Sequence, residues 1–248
     1  GLPEQTLQRA MAAWPRKPAR ELYLGMPAMR QEFAITEHGD LWLDHRSLRG
    51  PGADVDRSPW RPADVRFLHS VGEKPASDAG DGRTVRRWLE KGRLPAVHCE
   101  WETDGVVYRQ SAIAARLDGT VDCEGARGDE PLVLLERFEL INRAASPRTA
   151  RLWTQVTPAR PLRMDEPGLV TLDRPTDGAV REGVRSVRTW IDMAGRGEVR
   201  LVPQGAGELG GSSETALLCS VDLAPGERHT FFRNTPYVEC LTPAEVDA

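Results

Sequence analysis

Polar and apolar residues alternate most regularly between Val97 and Ala115, on both sides of Asp104-Gly105. Alternation with period two marks strands that bury one face. Asp-Gly suits a two-residue type I′ turn, which needs φ > 0 at both central residues. Counting outward from the turn pairs Thr103 with Val106, Glu102 with Val107, Trp101 with Tyr108, Glu100 with Arg109, Cys99 with Gln110 and His98 with Ser111. One face of this predicted hairpin carries Val97, Cys99, Trp101, Val106, Tyr108, Ala112 and Ala114. The other carries His98, Glu100, Glu102, Arg109 and Ser111, with Val107 and Ile113 as apolar exceptions.

The rest of the chain extends this pattern. Phe33 and Ile35, then Leu41 and Leu43, flank His38-Gly39-Asp40 and predict a second hairpin. Strands are predicted at 65–71, over EPLVLLERFELINRA, over ARLWTQVTP, at 168–173, 184–193, 198–203 and 215–223, and around Thr230 to Arg233. In the long EPLVLLERFELINRA strand, Leu132, Leu134, Phe138 and Leu140 share a face that Glu136 interrupts. Val85 to Leu89 fits a helical turn and a short strand equally. Leu7, Ala10, Met11 and Trp14 recur at helical spacing and predict a short helix over 5–14, ended by Pro15. Residues 16–31 read as irregular, and 46–64, 73–84 and the Gly-rich stretch 205–213 as loops. Thr242, Pro243 and Glu245 predict a helix start, with Thr242 as N-cap. A dozen or so strands with no helix between them predict an all-β fold of two large stacked antiparallel sheets, with a short N-terminal helix.

Composition narrows the function classes. The chain has 248 residues and a formal net charge of −4, which argues against a mainly electrostatic nucleic-acid binder. No apolar run approaches the roughly 20 residues that span a bilayer. Cys99, Cys123, Cys219 and Cys240 form no C-x-x-C pair and have no companion His spacing, so no zinc site and no other metal or cofactor is expected. Cys99 and Cys219 lie in alternating or apolar runs and read as buried free thiols.

Three stretches carry a family resemblance: LEKGRLPAVHCEWETDGVVYRQSAIA, LLERFELINRAASPRTARLWTQV and LAPGERHTFFRNTPYV. Their order resembles the N-terminal β-supersandwich domain of bacterial glycoside hydrolases with an (α/α)6 catalytic barrel, a domain related in fold to the galactose mutarotases. The likeness covers about 65–240 and rests on turn and strand signatures. It implies a lead-in over 1–30, a supersandwich over 31–240 and, at 241–248, the start of a linker helix to a C-terminal catalytic domain. That barrel would be the partner in the same polypeptide and would hold the catalytic carboxylates. The resemblance implies an oligosaccharide as ligand, and a periplasmic or secreted parent if that parent degrades polysaccharide.

No catalytic constellation is visible in the residues. Glu100 and Glu102 stand about 6 to 7 Å apart along one strand face, within the spacing that glycosidase carboxylates use. Arg109, expected opposite Glu100, would lower the Glu100 pKa where a general acid needs it raised. Among five histidines only His98 has a carboxylate-bearing face beside it. No Gly-x-Ser-x-Gly elbow occurs. The candidate sugar-contacting residues are therefore His98, Glu100 and Arg109 on the polar hairpin face, Trp60 in its Pro-rich loop, and Trp153 beside Gln155. The leading expectation is a non-catalytic domain that packs on a catalytic barrel and shapes one wall of the sugar cleft. An independent carbohydrate-binding module and an aldose-epimerase-like or lyase enzyme are the alternatives.

Overall fold

The computed structural model describes residues 21–26, 29, 31–43, 65–75, 84–92, 94–118, 130–157, 162–173, 185–204 and 215–237. The expected helices at 5–14 and 241–248, the loops at 46–64 and 205–213, and Trp60, Cys123 and Cys240 lie outside them. The described residues contain strands and turns and no helix: β1 Glu21–Gly25, β2 Glu32–Thr36, β3 Leu41–Leu43, β4 Val65–Val71, β5 Arg86–Glu90, β6 Leu94–Thr103, β7 Val106–Arg116, β8 Leu132–Asn142, β9 Arg148–Thr157, β10 Leu162–Glu166, β11 Leu169–Asp173, β12 Arg185–Asp192, β13 Glu198–Pro203, β14 Thr215–Leu223 and β15 Arg228–Pro236. They form a seven-stranded sheet, ordered β1-β2-β3-β4-β9-β14-β13, and an eight-stranded sheet, ordered β10-β11-β12-β15-β8-β7-β6-β5. The first is sheet A and the second sheet B. All pairings are antiparallel. The molecule is an all-β two-sheet antiparallel sandwich.

The β6–β7 hairpin has the register that counting from Asp104-Gly105 predicts, through to His98 opposite Ser111. Asp104 (φ 50°) and Gly105 (φ 76°) both take the left-handed conformation a type I′ turn requires. The second hairpin forms across His38-Gly39-Asp40 as expected, and it pairs Phe33 with Leu43 and Ile35 with Leu41. Three segments depart from the pattern reading. Glu21–Gly25, inside a stretch read as irregular, is a strand, with Leu22 and Leu24 alternating against Tyr23. Arg86–Glu90 is a strand because its pairing with β6 settles what its own short pattern leaves open. Leu162–Glu166, too short to declare itself, forms the far edge of sheet B.

Between the sheets lies one large apolar core, which includes Phe33, Phe67, Trp101, Tyr108, Phe138, Leu140, Leu152, Leu217 and Phe231. Trp101 and Tyr108 stack across the β6–β7 hairpin, 6.1 Å between centroids and 4° between planes. The Tyr108 hydroxyl accepts from the backbone N–H of Arg151 at 3.1 Å, tying sheet B to β9 of sheet A. Burial pushes the Tyr108 phenol up to about 12. Cys99 and Cys219 are buried, as their apolar settings predict.

The core also holds a charged cluster. Glu136 of β8 and Arg233 of β15 face each other in register and are both almost wholly buried. Arg233 grips the carboxylate with two nearly parallel bonds, Nε to Oε2 at 2.7 Å and Nη2 to Oε1 at 2.9 Å. Gln110 of β7 donates to the same Oε1 at 2.7 Å. Across the sandwich, Arg233 donates through Nη1 to Thr154 Oγ1 at 3.2 Å and through Nη2 to Nε2 of His69 at 2.7 Å. Nδ1 of His69 lies 2.7 Å from the carbonyl of Gly39, so the ring carries its proton there and leaves Nε2 as the acceptor. Phe138 of sheet B and Phe67 of sheet A have their ring centroids 5.1 and 5.9 Å from the guanidinium carbon. Glu136, which interrupts an apolar face in the sequence, is thus the anchor of a bond network that joins the two sheets.

Candidate functional site

The outer face of sheet B, the side turned away from the core, is ordered in rows across its strands. One row reads Arg86, Glu100, Arg109, Glu139, with each residue in register with the next. Charges alternate along it, which is the arrangement that stabilises cross-strand neighbours. The next row reads Trp88, His98, Ser111, Arg137, Phe232. The third includes Ile113, Leu135, Asn234 and Trp190. The face therefore grades from charged to apolar within three rows. Ile113 and Phe232 are 42% and 45% exposed, large apolar side chains open to solvent.

The charged rows line a groove of about 540 Å³, bounded by Arg86, Trp88, Glu100, Arg109, Arg137 and Glu139 together with Ser111 and Arg143. Arg109 sits at its centre. It donates through Nε to Glu100 Oε2 at 2.5 Å and through Nη1 to Glu139 Oε2 at 3.2 Å. Glu100, the stronger partner, pushes the Arg109 pKa up, and Glu139 adds to this. The other Glu139 oxygen takes Arg137 Nη2 at 3.3 Å and Arg228 Nη1 at 3.3 Å. One carboxylate, 11% exposed, thus serves three guanidinium groups.

His98 is fixed at both ring nitrogens. Nε2 lies 2.9 Å from Glu90 Oε2, and Nδ1 lies 2.9 Å from Ser111 Oγ. With a carboxylate at Nε2, the neutral ring keeps its proton there and accepts from the Ser111 hydroxyl at Nδ1. Trp88 stacks on His98 at 5.3 Å and 20°, and Arg86 lies over the Trp88 ring at 5.0 Å. The indole supports these two heads.

Of the residues the sequence singles out, His98, Glu100 and Arg109 come together on this face. The carboxylate bonded to His98 is Glu90 of β5, where the sequence pointed to Glu100 two residues along. Trp153 is buried on the far side of sheet A, packed with Ala216, Leu218 and Val202, and its Nε1 donates to the carbonyl of Gly72 at 2.9 Å. It does not reach the groove. Trp60 lies outside the described residues. Sequence reasoning missed Arg86, Trp88 and Glu90 because β5 could not be assigned. It missed Arg137, Glu139 and Arg228 because the β7–β8 and β8–β15 registers have no short turn to count from.

Glu100 and Glu139 both accept from Arg109, so their oxygens are engaged with a guanidinium where a glycosidase would need a free carboxyl proton. Ser111, His98 and Glu90 run in the order of an acyl-transfer triad. Yet Ser111 sits mid-strand in β7, paired on both sides, so neighbouring backbone N–H groups are held in the sheet and none is free to form an oxyanion hole. No group of His, Cys, Asp and Glu suited to a metal ion occurs among the described residues. A scan of protein-family models and a search of curated proteins each found no match to the chain.

Proposed function

We propose that the chain is a non-catalytic β-sandwich domain of a carbohydrate-active enzyme, similar in fold to the galactose mutarotases. It packs against a helical catalytic barrel and forms one wall of the sugar cleft. The observation that carries this reading is the meeting of two surfaces on one sheet face: exposed Ile113 and Phe232, and the charged groove that begins at Arg137, opposite Phe232. An exposed apolar patch favours a covering partner. Arginine and glutamate side chains offer planar pairs of donors and acceptors that match sugar hydroxyls. A domain docked through the patch would leave the groove at the seam, where a cleft wall belongs. The sequence resemblance over about 65–240 supports the same assignment.

The test is a titration of the protein with a panel of neutral and acidic oligosaccharides, followed by tryptophan fluorescence, beside a turnover assay on the same panel. The expected result is saturable binding of at least one sugar, weakened by Arg109→Ala, with no turnover. Turnover of a panel member would overturn the non-catalytic assignment, and a flat response across the panel would overturn the sugar assignment.

A further inference from the structure

The groove has more positive charge than its own carboxylates consume. Four arginines and two glutamates line it; Arg143 is matched by Glu102, outside the lining, at 3.7 Å, so the excess rests on Arg86 and Arg137. Arg86 has no carboxylate partner within ion-pair distance among the described residues, and its guanidinium lies over the Trp88 ring. Arg137 and Arg228 share Glu139 with Arg109, and their side chains are 53% and 59% exposed. Each guanidinium has five N–H donors, whereas a carboxylate offers about four lone-pair sites. Most donors on these arginines are therefore free for a ligand. A second observation concerns the aromatic ring. Neutral sugars commonly settle their apolar face on an open aromatic side chain, and among the described lining residues the one aromatic ring is Trp88. His98 stacks on it and Arg86 lies over it.

From this balance we infer that the groove takes an acidic saccharide, a uronate-bearing oligosaccharide that runs across the strands, with one carboxylate met by Arg86 on β5 and another by Arg137 on β8. The inference rests on the sugar-binding reading above and adds its substrate class. A carboxylate fits the planar guanidinium fork and gains charge-assisted bonds that a hydroxyl does not. The Trp88 ring under Arg86 holds the guanidinium toward the groove, and the register places Arg137 two strands beyond His98 in the Trp88 row. Glu139 lies between Arg109, Arg137 and Arg228 and keeps them together in the absence of ligand, when their mutual repulsion would spread them.

Calorimetric titration of the protein with oligogalacturonate and with a neutral galactose oligomer of equal length tests this, at low and at physiological salt. The expected result is binding of the acidic oligomer about tenfold or more tighter than the neutral one, weakening as salt rises. Arg86→Ala should abolish most of that preference, and Arg86→Lys should restore part of it. Both changes are at a strand edge, and thermal melting confirms that each variant folds. Equal or tighter binding of the neutral oligomer would overturn the acidic assignment and leave the sugar reading standing. Failure of both oligomers to bind would overturn both. Equal binding of a short single-stranded DNA of matched charge would overturn the saccharide class.

Discussion

Nη2 of Arg233 lies 2.7 Å from Nε2 of His69, a bond that leaves one sheet and ends on the other. The arginine carries its charge into the core because Glu136 neutralises it there with paired bonds. Removing one partner strands the other. Arg233→Leu should therefore destabilise the fold by about 3–5 kcal/mol, and Glu136→Leu by a similar amount. Replacing both, as Glu136→Leu with Arg233→Met, should cost less than either single change. Chemical denaturation of the three variants checks the order.

Gly168 should tolerate no side chain. Its φ is +85°, and a Cβ there would collide with the carbonyl oxygen of Ile191. The two residues are also joined by the Ile191 N–H to Gly168 carbonyl bond at 2.8 Å, which any shift would loosen. Gly226 has a similar φ of +75° with open space around it. Gly226→Ala should cost about 1–2 kcal/mol from the backbone alone. Gly168→Ala should cost clearly more, measured by the same denaturation.

Acid should weaken the β14–β15 turn through Glu227. Arg196 and the Ala224 backbone N–H, bonded to its carboxylate, hold the Glu227 pKa down at about 2. The unfolded chain binds that proton at the ordinary carboxylate value. The stabilisation is therefore complete above the unfolded value and is lost as pH falls toward 2. Burial, then the Arg196 charge, lowers the His229 pKa, so protonation of that ring works in the same direction at higher pH. Melting temperatures from pH 2 to 7 should show a shallower acid limb for Glu227→Gln than for the unmodified protein.

Cys99 and Cys219 should resist thiol reagents in the folded protein. Both are buried, and burial pushes the Cys219 thiol up to about 12, far from the thiolate that reacts. Alkylation at pH 8 with peptide mapping should leave both unmodified until denaturant is added. Labelling of Cys219 in the native state would contradict its place in the core.

The hairpins were legible in the sequence because a turn of two or three residues fixes the count on both strands. Asp104-Gly105 set every pair from Thr103–Val106 to His98–Ser111. The same count put Glu100 against Arg109 and so found part of the candidate groove. Nothing local shows that Glu139 will lie beside Arg109, because β7 and β8 meet without a tight turn. Trp88 does lie against His98 across a tight Lys91-Gly92 turn, but the short Val85–Leu89 pattern left β5 itself unassigned. The buried cluster was hidden for a further reason. Glu136, Gln110, Arg233 and His69 each look like a lone polar residue on an apolar face. Only stacking the two sheets makes them one network.

β5 ends sheet B and, among the described strands, pairs with β6 alone. A strand held on one side opens at lower cost than one held on two. Trp88, Arg86 and Glu90 therefore sit on the part of the groove most able to lift, while Arg109 and Glu139 sit on its fixed floor. That edge is held by a single ladder of backbone bonds, by the Arg87 bond to the Ile35 carbonyl at 3.0 Å and by Leu89 packed on the core. A ligand bridging Arg86 and Arg137 would close that side by tying the free edge to the interior of the sheet.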